Sequence, residues 1–218
     1  MSIAKNLTEI KSQLPAHVTL VAVSKTKPVS DLMEAYNAGQ RIFGENKIQE
    51  MTEKWEQMPK DIEWHMIGHV QTNKVKFMSE YVSLVHGVDS LKLLEEINKQ
   101  AKKHNRVIDC LLQVHIAEEE TKFGLNEEEL EEMLKQVQHD KDSFDNIRVV
   151  GLMGMATFTE NTVQIEKEFK HLKSIFDKIQ TSNSQIKTLS MGMSGDYQLA
   201  ISCGSTMVRI GSSIFGGR

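Results

Sequence analysis

Short apolar, β-rich runs recur along this chain, each followed by a turn and then by a stretch whose apolar residues return at helical spacing. The runs that read as strands are Leu20–Ser24, Arg41–Gly44, Glu63–Ile67, Leu84–Val88, Asp109–Ile116, Val149–Met153, Thr188–Met191 and Met207–Ile210, eight in all. Several helical segments between them carry their own start and stop chemistry. Ser30 is placed to cap a helix with Leu32, Ala35 and Tyr36 on one face and Gly39 as its left-handed terminator. Asn126, with Glu129 three residues on, reads as a capping box ahead of a Leu130, Met133, Leu134, Val137 stripe. The segment from Leu91 to His104 sets Glu95 and Glu96 early and Lys102, Lys103 and His104 late, as the helix dipole favours.

Strands alternating with helices predict parallel β-α-β units with right-handed crossovers, and eight of them close into a single (β/α)₈ TIM barrel, one domain over residues 1–218. An open doubly wound sheet is the rival topology. Beyond Gly211 the sequence offers only Ser-Ser-Ile-Phe-Gly-Gly-Arg, so no eighth outer helix is expected. The amphipathic segment at the N-terminus, with Ile3, Leu7, Ile10 and Leu14 on one face, is expected to cover that gap.

Composition narrows the function classes. With 39% hydrophobic residues, 26% charged and a net charge of -4, the chain has a globular composition and no strong positive field to recruit nucleic acid. No run approaches the roughly 20 apolar residues of a membrane span, and the N-terminus lacks the apolar core of a signal peptide. Cys110 and Cys203 are too few for a disulfide framework or a Cys-based zinc site, which points to a reduced cytoplasm.

In such barrels the reacting groups sit after the strand C-termini, and a phosphate site forms from the loops after strands seven and eight. Here those loops are Ser190-Met191-Gly192-Met193-Ser194-Gly195-Asp196 and Arg209-Ile210-Gly211-Ser212-Ser213. Either alone reads equally as a tight turn; together, their small residues and hydroxyls are placed to cradle one phosphate. Lys25 ends the first strand on the face of Val21 and Val23. It is a candidate for condensing with an aldehyde, or else a lysine snorkelling from a strand end into solvent. Arg209 shares a face with Met207 and Gly211, aimed into the site or paired with a barrel carboxylate. His65 and His69 have i,i+4 spacing, but one ends a strand and the other follows Gly68, so no metal site is expected. Lys122 reads as an exposed loop residue or a secondary phosphate contact, and Glu127–Glu132 as a solvated helix face.

The segments AVSKTKP around Lys25, FGEN ending at Asn46, HMIGHVQTNK from His65, GLMGMAT from Gly151 and SMGMSGDYQLAISCGSTMVRIGSSIFG from Ser190 resemble the pyridoxal phosphate homeostasis proteins, also called the YggS or PROSC family. The resemblance runs nearly from end to end. It implies an alanine-racemase-like barrel of the fold-type III pyridoxal 5′-phosphate-binding kind, with an extra N-terminal helix and no C-terminal β domain. It makes Lys25 the Schiff-base lysine and assigns the cofactor phosphate to Ser190, Met191 and Ser194 with Gly211 and Ser212. It sets Arg209 against the pyridine nitrogen and Asn46 along the ring. An arginine there has only protons to donate, which weakens the ring as an electron sink.

The implied function is a binding protein that buffers pyridoxal 5′-phosphate through Lys25 and releases it transiently to apo-enzymes, without a membrane or nucleic-acid partner. A small amino acid racemase is the alternative, and a lyase or aldolase condensing Lys25 with a sugar phosphate is a third class. A racemase needs an acid/base group opposite the lysine, which in alanine racemases is a partner-subunit tyrosine in a dimer completed by a second domain. Here the sequence stops at Arg218, Tyr36 and Tyr81 read as packing residues, and Tyr197, at the start of the helix after the phosphate loop, reads as a packing residue or else a cover for the site. A monomer with no second catalytic base is therefore expected.

Overall fold

The computed structural model describes residues 2–119, 123–140 and 143–217. Eight parallel strands close into a barrel in chain order, with β1 hydrogen-bonded to both β2 and β8, which excludes the open doubly wound sheet. The strands are β1 Thr19–Val23, β2 Ile42–Glu45, β3 Glu63–Met66, β4 Val82–Val88, β5 Ile108–Gln113, β6 Ile147–Met153, β7 Thr188–Met193 and β8 Met207–Ile210. The α-helices are α1 Ile3–Gln13, α2 Val29–Asn37, α3 Ile48–Gln57, α4 Leu91–Lys103, α5 Glu127–His139, α6 Thr162–Ser182, α7 Tyr197–Ser202 and α8 Ser212–Phe215. A 3₁₀ helix over Thr72–Phe77 takes the place of an α-helix between β3 and β4.

Period-two alternation divides the apolar strand residues between two cores. Leu20, Ala22, Phe43, Trp64, Val208 and Ile210 face the helices in one large cluster. Val21, Leu84, Leu111, Met153 and Met207 form a separate small cluster inside the barrel. The interior is thus apolar in part only, and buried His65, His86, Ser190 and Arg209 occupy it too.

Element ends depart from expectation where they bear on the site. β1 stops at Val23, so Lys25 lies in the turn beyond it, and β7 runs on to Met193. β5 ends at Gln113, with Val114 making only an isolated bridge to Leu125. Helix α2 starts at Val29 behind Pro28, whose restricted φ suits a helix entry, so Ser30 lies in the first turn and caps nothing. The Asn126–Glu129 capping box is present, and Gly39 follows α2 at φ +89. After β8 comes only the four-residue α8, and α1 covers it, with Asn6 Nδ2 donating to the Ile214 carbonyl at 3.0 Å. Among the described residues, no helix is long and apolar enough to cross a membrane. Cys110 and Cys203 are unpaired and buried, and burial pushes both thiols up.

Candidate functional site

A cavity of about 680 Å³ opens at the C-terminal end of the barrel, lined among others by Lys25, Asn46, Ser194, Arg209, Gly211 and Ser212. Another concavity, of about 610 Å³, lies between Phe144, Ile147 and Asn183 at the strand starts, the end where barrels carry stabilising rather than reacting groups.

Backbone packing brings the rim residues together. Gly68 lines the cavity beside Asn46, and a Cβ at Gly68 would collide with the Asn46 backbone. A Cβ at Gly211 would stand 2.9 Å from the Val23 carbonyl oxygen, so only glycine lets the exit of β8 pass this close to the exit of β1. The Gly211 N–H donates to Ser194 Oγ at 3.1 Å and ties the two expected phosphate loops together. Asp196 closes the first loop by accepting the Met193 N–H at 2.6 Å. Burial raises the Asp196 carboxyl, against the pull of that N–H and of Arg209.

Arg209 sits at the floor, 3% exposed, where burial lowers its guanidinium to about 10 and leaves it charged at neutral pH. It donates to the Ser190 carbonyl and hydroxyl at 3.0 and 2.6 Å and to the Gly154 carbonyl at 3.2 Å. Ser190 Oγ lies 3.1 Å from His86 Nδ1, and His86 Nε2 lies 3.0 Å from His65 Nδ1. Burial pushes His65 down to about 3 and His86 well below its ordinary value, so both rings are neutral. The Ser190 hydroxyl oxygen accepts from Arg209, and its contact with His86, continued by the contact of His86 with His65, links the guanidinium to two imidazoles in which the tautomers set the donor and the acceptor.

Of the expected site residues, Lys25, Asn46, Ser194, Arg209, Gly211 and Ser212 line one cavity, and Ser190 and Met191 do not. Ser190 is a strand residue bonded to Arg209 and His86, and Met191 belongs to the outer core. His65 and His69 also part company, since His69 lies 3.3 Å from Asp89 and stacks on Phe123. Lys122 lies outside the described residues. The three tyrosines bond elsewhere: Tyr36 to Asp61, Tyr81 to Thr52 and Tyr197 to Gln13. Residues that sequence reasoning missed include Gln113, which ends β5 and donates to the Phe123 carbonyl, and Met155, Thr157 and the 91% exposed Phe158. The GLMGMAT segment, running through Met155 and Thr157, was the signal for two of these.

The donor set fits pyridoxal 5′-phosphate. An amine at the rim suits an aldehyde, two hydroxyl- and glycine-bearing loops joined at Gly211 suit a phosphate, and a buried guanidinium suits an unprotonated ring nitrogen.

Comparison with known proteins agrees with this chemistry. The sequence matches the family described as alanine racemase, N-terminal domain, over residues 1–218. It is similar to the pyridoxal phosphate homeostasis protein of Pasteurella multocida, 37% identical over 233 residues, covering 100% of this chain and 98% of that protein. It is similar in structure to PipY of Synechococcus elongatus with PLP bound, at a TM-score of 0.90 and 34% identity, over 99% of this chain and 100% of that one. An alanine racemase of Clostridium difficile, at 16% identity and a TM-score of 0.80, shares the fold over 100% of this chain and 56% of its own.

Proposed function

As the chain belongs to the family of the pyridoxal phosphate homeostasis proteins, built on the alanine racemase N-terminal domain, we propose that it holds pyridoxal 5′-phosphate as a Schiff base on Lys25 and buffers it for other proteins. The observation that carries this reading is one cavity lined by Lys25, Ser194, Arg209, Gly211 and Ser212. When bound, the cofactor supplies a reactive aldehyde conjugated to an electron-withdrawing ring.

The chain's own residues then divide the work. Lys25 Nζ is the nucleophile that retains the aldehyde and gives it up on hydrolysis or exchange. The Ser194 and Ser212 hydroxyls and the loop N–H groups take the phosphate, and Asn46 lines the ring. Arg209 donates to the ring nitrogen and keeps it unprotonated, which restrains carbanion chemistry. No tyrosine among those described lines the cavity, which favours a carrier over a two-base racemase. The carrier works in the cytoplasm as a monomer and hands the cofactor to apo-enzymes in transient encounters.

Borohydride reduction of cofactor-loaded protein, followed by peptide mass spectrometry, is expected to place a pyridoxyl group on Lys25 and to find none in Lys25→Ala. An unmodified Lys25 in loaded protein would end this reading. Transfer to an apo-enzyme in the presence of a scavenger of free cofactor separates direct handover from release.

A further inference from the structure

Both peptide groups that flank Lys25 are held from behind the barrel wall. Lys54, on α3 and 5% exposed, directs its three protons to the Ser24 carbonyl oxygen at 2.8 Å, Glu45 Oε1 at 2.7 Å and Glu50 Oε1 at 2.7 Å. Glu50 Oε1 also accepts the N–H of Thr26 at 2.6 Å. The Ser24 carbonyl belongs to the peptide entering Lys25, and the Thr26 N–H to the peptide leaving it. A ring of contacts through Ser24, Lys54, Glu50 and Thr26 therefore closes around the Lys25 backbone. Thr26 stands at φ +62, a region that a β-branched residue enters only when its surroundings impose it. Glu45 anchors the arrangement, with Oε1 accepting both Lys54 Nζ and the Ser24 hydroxyl, the latter at 2.6 Å.

We propose that Glu50 and Lys54 are positioning residues for Lys25: by fixing the peptide planes on either side of it they set the angle at which its amine enters the cavity. This rests on the reading of that cavity as a pyridoxal 5′-phosphate site. Neither residue lines the cavity. They act through the turn after β1, whereas the phosphate loops leave β7 and β8. Loss of the grip thus weakens the bond made by Lys25 and leaves recognition of ring and phosphate intact.

Two ligands separate these contributions. Pyridoxal 5′-phosphate bonds covalently to Lys25, while pyridoxamine 5′-phosphate keeps the ring and phosphate but has no aldehyde. Glu50→Ala is expected to weaken retention of pyridoxal 5′-phosphate about tenfold, the loss of a charge-assisted hydrogen bond, read from visible absorbance and borohydride fixation. Affinity for pyridoxamine 5′-phosphate, by calorimetry, stays unchanged. Glu50→Gln keeps an oxygen for the Thr26 N–H and recovers most of the loss. The Glu50 side chain is 23% exposed, so these variants disturb the fold less than any at Lys54, and circular dichroism checks this. Equal losses for both ligands, or retention equal to that of the unaltered protein, overturn the proposal. If the unaltered protein forms no covalent bond at Lys25, the functional reading fails and the positioning role falls with it.

Discussion

Two buried polar clusters support the same end of the barrel and solve the same problem in opposite ways. Outside the wall, Glu45 and Lys54 meet as ions at 2.7 Å, with Glu50 bonded to the same ammonium. Inside the wall, one guanidinium, Arg209, is sustained by neutral partners: two carbonyls, the Ser190 hydroxyl and, behind it, two uncharged imidazoles. The outer arrangement holds backbone still, since contact between opposite charges is stiff and directional. The inner one delivers a buried positive charge to the cavity floor, where Asp196 of the loop after β7 is the carboxyl that acts on it. The contrast also sets opposite responses to pH, because the outer cluster contains a carboxyl raised by burial and the inner one contains histidines lowered by it.

The largest expected effect lies inside. In the unfolded chain His65 and His86 take up protons near the ordinary value of 6.5, whereas in the fold burial keeps both neutral, His65 down to about 3. Their contribution to stability is complete above pH 6.5 and is lost as pH falls below it. The slope is about 1.4 kcal/mol per pH unit for each histidine and about 2.7 kcal/mol for the pair. Urea unfolding at a series of pH values from 7.5 to 4.5 measures it. His86→Gln is expected to remove about half of the slope; a variant whose stability runs parallel to that of the unaltered protein would refute the neutral interior chain.

Next in size is the outer ammonium. Lys54→Met leaves Glu45 buried without its counter-ion and the Ser24 carbonyl with the Lys27 N–H but no ammonium to accept from, a change expected to cost about 3–5 kcal/mol. Adding Glu45→Gln removes the stranded charge and should return part of that loss. If the double variant is no more stable than Lys54→Met alone, the burden lies in the turn and not in the carboxylate.

The two clusters also mark the limit of what the sequence discloses. The eight strands, the Asn126–Glu129 cap and the rim position of Lys25 are legible because each follows from local alternation or from a few neighbouring residues. Glu50 and Lys54 are an i,i+4 pair on an amphipathic helix, and such a pair reads as a solvated face; only the turn after β1, folded over α3, buries it. His65 is weighed only against His69, four residues on, and set aside, while its partner is His86 on the next strand, which β3–β4 pairing brings near. Ser190 is read with the loop that follows although it lies within the expected strand Thr188–Met191, and its place in β7 gives its hydroxyl to Arg209 and His86. Long-range contacts decided each case that local pattern missed.

The smallest effect tests the opposite sign. Burial raises the Glu45 carboxyl above its ordinary value, more than Lys54 and the Ser24 hydroxyl lower it, and Glu45 Oε2 has no hydrogen-bond partner. A raised folded value means that stability from this group is complete below the ordinary value of 4.5 and is lost as pH rises from there through the higher folded value. Gln at this position keeps an oxygen for Lys54 and Ser24 but cannot ionise. Relative to the unaltered protein, Glu45→Gln should therefore be less favourable near pH 4 and gain ground toward pH 7. Paired urea titrations at the two pH values measure the difference, with His86→Gln as the counter-case whose relative gain runs toward acid. Should both variants drift in the same direction with pH, the carboxylate outside the wall would be an ordinary ion pair, and burial would not be what distinguishes the two clusters.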